Sequence, residues 1–70
     1  MLPLIYAVPN EDNVIKKVGG KPEIKKHLED MGFVTGAIIN VVSTVNGSLI
    51  VNIKNTKVAL DKELAEKIMI

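Results

Sequence analysis

Asn46-Gly47 stands between two runs rich in β-branched residues, 37–45 and 48–53. Both central positions of a type I′ turn need positive φ, and Asn-Gly supplies it more readily than almost any other pair. The pattern predicts a strand over 37–45, a two-residue turn, and a returning strand over 48–53 with Leu49, Val51 and Ile53 on one face. Asn55-Thr56 is expected to form a second tight turn, since Asn tolerates the left-handed region. Residues 57–60 then add a third strand. In 70 residues such a meander leaves no room for the long crossovers of a parallel sheet. The strands must bury one face by curling, so the expected fold is mainly β with one α-helix, a small and strongly bent antiparallel barrel.

The segments on either side supply the remaining pieces. Residues 4–8, LIYAV, read as a first strand, followed by a polar turn at Pro9-Asn10-Glu11-Asp12-Asn13. Residues 14–18 read as a second strand, broken by Gly19-Gly20. From Lys21 to Met31 the pattern is helical, with Pro22 in the first turn and Ile24, Leu28 and Met31 forming one apolar stripe. Gly32 falls where a left-handed residue closes a helix, and Phe33 falls where the next side chain folds back, here onto Leu28. Asp61 is a plausible N-cap for a short helical turn over 62–67, with Leu64 and Ala65 inward. Ile68-Met69-Ile70 is an apolar tail, expected to pair as a closing strand. The sum is five or six strands in one domain spanning residues 1–70, with no repeat, linker or low-complexity segment.

Composition narrows the function. The chain has no Cys, which excludes disulfides and thiolate metal sites, and it has nine Lys, eight acids and no Arg. A net charge of +1 and a single Phe and Tyr give neither the basic face nor the stacking platform that nucleic-acid binding uses. Lys16, Lys17, Lys21, Lys25 and Lys26 cluster in the first half, but Lys25 and Lys26 share their helix side with Glu29, a mixed solvated face. An RNA-binding barrel is therefore the third-ranked reading. No apolar run approaches the roughly 20 residues of a membrane span, and the N-terminus lacks the basic region of a signal peptide. The expectation is a cytoplasmic protein with no direct membrane insertion.

The candidate chemistry is sparse. Glu23, His27 and Asp30 are spaced i, i+4, i+7 on one side of the helix, a set that suits a transition metal, though one His and no Cys make a weak ligand set. Ser43, Ser48 and the threonines sit in no nucleophile motif, so no enzyme activity is expected. Gly19-Gly20-Lys21 lacks the spacing of a phosphate loop. Phe33 and Val34 are consecutive apolar residues just outside the helix. If Phe33 covers the helix end, Val34 is pushed outward beside Met31, an apolar corner suited to a protein partner. The candidate partner-binding residues are Met31, Phe33, Val34 and the adjacent His27.

The ordered set Leu28, Met31, Gly32, Phe33 and Gly36, then Ala59-Leu60, then Ala65 and Ile68, resembles the FeoA domain over nearly the whole chain. That resemblance implies an SH3-like small barrel and a cytosolic, non-enzymatic accessory protein of bacterial ferrous iron uptake. The implied partner is the FeoB-type membrane transporter with its GTPase domain, which would hold the protein at the inner membrane. Self-association is left open, and no resident cofactor is implied. The alternative is a direct metal-binding or metal-sensing domain using Glu23, His27 and Asp30. The chain departs from the family pattern in its PNEDN loop, at Thr35 for a frequent Pro, at Asn55 for a usual Gly, and at Asp61 where Arg is common. The last change alters the charge beside an expected binding edge.

Overall fold

The computed structural model describes all residues, Met1–Ile70. After a 3-10 turn (Leu4–Tyr6) come two short strands, β1 (Asp12–Val14) and β2 (Lys17–Val18), followed by helix α1 (Pro22–Asp30). A meander of β3 (Ile38–Val45), β4 (Ser48–Ile53) and β5 (Thr56–Leu60) leads to a one-turn helix α2 (Lys62–Ala65) and a last strand β6 (Ile68–Met69). All strand pairs are antiparallel. The larger sheet has the order β1-β3-β4-β5, and β2 pairs with β6 in a second, two-stranded sheet.

The hairpins follow from their turn residues. Val45 pairs with Ser48 across Asn46 (φ 50°) and Gly47 (φ 83°), the positive-φ pair the sequence requires. The next turn falls one residue earlier than expected. Ile53 pairs with Thr56, so the central residues are Lys54 (φ 50°) and Asn55 (φ 63°). Asn55 takes the backbone region that favours glycine, which accounts for its standing where the family usually has Gly. A register shift between Val41 and Ser43 leaves Val42 as the extra residue of a bulge, a device that sharpens strand twist.

Two expected strands differ. Residues 4–8 do not form a strand: Leu4–Tyr6 is a 3-10 turn, closed by Tyr6 and Ala7 amides donating to the Pro3 and Leu4 carbonyls at 3.0 and 2.9 Å. The turn buries Leu4 alone and leaves Tyr6 and Val8 exposed, whereas a strand would have turned a full alternate face inward. Just before it, the N-terminus clasps the C-terminus, with Leu2 and Ile70 exchanging amide–carbonyl bonds of 2.8 Å. The second expected strand, 14–18, is split. Ile15 donates to the Ala37 carbonyl (2.9 Å), whereas Lys16 donates to the Met69 carbonyl (2.8 Å), so the chain crosses from the large sheet to the small one between these residues. That crossing closes the barrel.

The helix ends as its sequence dictates. The Phe33 amide donates to the Leu28 carbonyl and the Gly32 amide to the Glu29 carbonyl, each at 3.0 Å, with Gly32 at φ 101°. These are the two bonds of a Schellman stop. Leu28 and Phe33 are both fully buried in one core with Leu4, Ile15, Ile39, Val51, Ile53, Leu60 and Ile68. Asp61 caps α2 by accepting from the Leu64 amide at 2.9 Å, and Ala65 is buried while Leu64 is half-buried. Its helix-capping role gives a local reason for an acid at this position.

Two glycines separate strain from space. A Cβ on Gly32 would meet only the Lys54 side chain at 3.6 Å, an ordinary contact, so its cost would come from the positive φ. Gly32→Ala is expected to lower stability by about 1–2 kcal/mol. Gly19, which has no positive φ and 3.6 Å to its nearest neighbour, is expected to accept Ala within about 0.5 kcal/mol. Urea-unfolding midpoints of the two variants make the comparison.

Candidate functional site: the helix stop and the outer sheet face

The helix stop positions its side chains very differently. Phe33 has no exposed surface at all (0%), so it cannot touch a partner, and its place among the contact candidates is corrected. The reason is the Schellman geometry, which turns the residue after the glycine back over the helix and into the core. Met31 and Val34 are half-buried, and His27 is exposed on the last turn of α1. The amide of Ala37 donates to the Val34 carbonyl (3.0 Å), so residues 34–37 form a turn that delivers the chain into β3.

That turn brings up apolar residues the sequence reading missed. Val14 on β1 and Ile38 on β3 are directly opposite each other in register and are 45% and 51% exposed. Strict alternation could have found Ile38, because Ile39 faces the core and its neighbour must then face out. Val14 carried no such signal, since its strand was expected to run on through Lys17 without the crossing at Ile15. Lys54 lies between the two halves of the surface. Its side chain runs past Gly32, and it shares a recess of about 260 Å³ with Asp12, Ile38, Asn40, Asn52 and Asn55. The helix stop, the Lys54 turn and the outer face of β1 and β3 are thus one continuous region.

Glu23, His27 and Asp30 are all exposed, and no three His or acidic side chains of the chain are grouped as a metal site. Residues i and i+7 are separated by about 10 Å along a helix. The ligand set inferred from spacing is therefore not assembled. The five lysines of the first half are likewise exposed, interspersed with exposed Glu23, Glu29 and Asp30. No helix is long and apolar enough to cross a membrane.

A small barrel closed by two antiparallel sheets around a largely aliphatic core, with one stopped helix, defines an SH3-like domain. The FeoA domain family matches residues 3–70, and the chain belongs to that family. Over all 70 of its residues the chain is 31% identical to a candidate Fe(2+) transport protein A of Methanocaldococcus jannaschii, covering 85% of that protein. The crystal structure of an iron uptake regulatory protein (FeoA) superposes with a TM-score of 0.87 at 26% identity, over 97% of this chain and 90% of that one. A Stenotrophomonas maltophilia FeoA complexed with zinc, described as a prokaryotic SH3 domain protein, gives 0.85 at 21% identity, over 99% and 88%. At that identity the likeness concerns the fold.

Phe33→Ala is expected to cost about 3–5 kcal/mol, comparable to the whole stability of so small a domain. Its far-ultraviolet circular dichroism should show a largely unfolded chain at 37 °C.

Proposed function

We propose that this chain is an accessory protein of ferrous iron uptake that acts by docking on the cytosolic part of an FeoB-type membrane transporter, through the helix stop and the adjoining sheet face. Membership of the FeoA family supports the iron-uptake context. The similarity to a candidate Fe(2+) transport protein A over the full chain supports the same assignment. The observation that carries the docking mode is the apolar set itself. Val14 and Ile38 stand out from the sheet beside the turn that bears Val34, with Met31 half-buried on the other side of Gly32.

Docking needs apolar area that the free protein leaves in water, held on a rigid support so that little entropy is lost on binding. Met31 and Val34 flank a stop fixed by two backbone hydrogen bonds, and Val14 and Ile38 sit on paired strands. The charged helix face with His27, Lys26 and Asp30 borders this area and supplies a polar rim. The work of such a module is binding, and nucleotide chemistry is left to the transporter's GTPase domain.

Val34→Asp is expected to reduce retention of the transporter's GTPase-bearing domain in a pull-down by about tenfold or more. Its thermal melt should stay within a few degrees of the parent. Undiminished retention with a native-like melt would remove the helix stop from the interface.

A further inference from the structure

One edge of the large sheet is open. β5 is the last strand in the order and is joined to β4 alone. Ile53 and Thr56 close the two-residue hairpin, so the backbone groups of Thr56, Val58 and Leu60 turn toward β4. Those of Lys57 and Ala59 turn away from it. No backbone hydrogen bond outside the ladder reaches residues 56–60, and Lys57 and Ala59 are both exposed. Helix α2 packs back on β4 and the 3-10 turn at Leu4–Tyr6, which leaves this edge uncovered. The opposite edge, β1, has only three strand residues, the first of them Asp12, and is blunted in the usual way.

We infer that this edge pairs with the same edge of a second copy of the chain, β5 against β5, antiparallel about a two-fold axis at Ala59. Such an axis sets Ala59 against itself, Val58 against Leu60, and Lys57 against Asp61 of the second copy. The backbone groups left outward then find their complements. The Ala59 amides and carbonyls exchange two bonds across the axis, and Lys57 meets Asp61, where the backbone is still extended (φ −71°, ψ 166°) before α2 begins. Charge selects this register. An axis at Lys57 opposes two ammonium groups, and an axis at Val58 sets Lys57 against Ala59. The axis at Ala59 alone forms two reciprocal Lys–Asp pairs. Asp61 Oδ1 accepts from the Leu64 amide at 2.9 Å, which fixes the carboxylate and leaves Oδ2 for the ammonium.

A lone lysine on an edge strand ordinarily keeps a second strand away. Here the two-fold supplies its counter-charge, and the small Ala59 at the centre lets the strands close to normal spacing. Ala59 lies opposite the half-buried Ile50 of β4, so the joined sheets carry an apolar line from one Ile50 through two alanines to the other. An ion pair flanks it on each side. So short a contact buries little area, and the dimer is a weak one. Val14 and Ile38, on β1 and β3 at the other end of the sheet order, stay free in it. The pairing therefore does not depend on the transporter reading.

The test is a dilution series of the full chain, followed by sedimentation equilibrium and by amide NMR from about 1 mM down to about 20 µM, the range in which a small interface dissociates. A monomer–dimer equilibrium is expected, with the amide signals of Lys57, Ala59 and Asp61 moving together on dilution. Ala59→Pro deletes an amide that points away from β4, a change an edge strand accepts. It should weaken association about tenfold or more while the melt stays near the parent's. Lys57→Glu and Asp61→Lys each oppose like charges and should be monomeric alone. Mixed together they should associate again, because every opposed pair is then of opposite sign. The mixing result stands whether or not loss of the Asp61 cap lowers the melt of one variant. A monomer at every concentration, a dimer indifferent to Ala59→Pro, or variants that stay apart on mixing would overturn the pairing. Dilution shifts confined to Val14, Val34 and Ile38 would do so too. The series contains no transporter, so its failure leaves the pull-down prediction untouched.

Discussion

The joint at Gly32 is the constraint on which the rest of this barrel depends. A left-handed residue there lets the helix close two backbone bonds, from Phe33 to Leu28 and from Gly32 to Glu29, and reverses the chain within one residue. The reversal drops Phe33, the chain's only Phe and the bulkiest of its fully buried side chains, into a core that is otherwise aliphatic. A domain of this size buries a smaller fraction of its surface than a larger one and has no disulfide to add, so the placement of one large side chain carries unusual weight. Lys54, held at positive φ by its own turn, passes beside Gly32 and brings the β4–β5 hairpin against the helix end.

That joint also determines what is left outside. Because Phe33 is taken into the core, the apolar surface near the helix end consists of Met31 and Val34, only half-exposed, and passes to Val14 and Ile38 on the sheet. The inner face of β3 and β4 is spent on Ile39, Val41, Leu49, Val51 and Ile53, while the outer face carries Asn40 and Asn52 in register. A sheet whose only task was stability would have β-branched residues at those two outer positions.

Much of the frame was legible in the sequence. Asn46-Gly47, the Gly32-Phe33 stop and the Asp61 cap each rest on the backbone needs of a few adjacent residues, while the closing role of Ile68-Met69 followed from the cost of leaving an apolar tail in water. Residues 4–8 were misread because apolar content alone does not distinguish a strand from a 3-10 turn that buries one residue. The expected strand over 14–18 was misread for another reason. Its break at Ile15-Lys16 is caused by competition between two partners, Ala37 and Met69, both far along the chain. Spacing places Glu23, His27 and Asp30 on one side of the helix, but it does not by itself bring a further acidic or His side chain up to them.

The sequence by itself determined that this chain is a small antiparallel β-barrel with one stopped helix, because turn residues and alternation act over a few residues and need no partner. It also carried the ordered residues by which the FeoA family is identified. Only the tertiary structure decided which side chains remain outside to be recognised. Phe33 moved inward, Val14 and Ile38 emerged together, and Asp12, Asn40, Asn52 and Lys57 were aligned across four strands. Register between distant strands is a property of the packed core, and a surface built on register exists only once that core has formed.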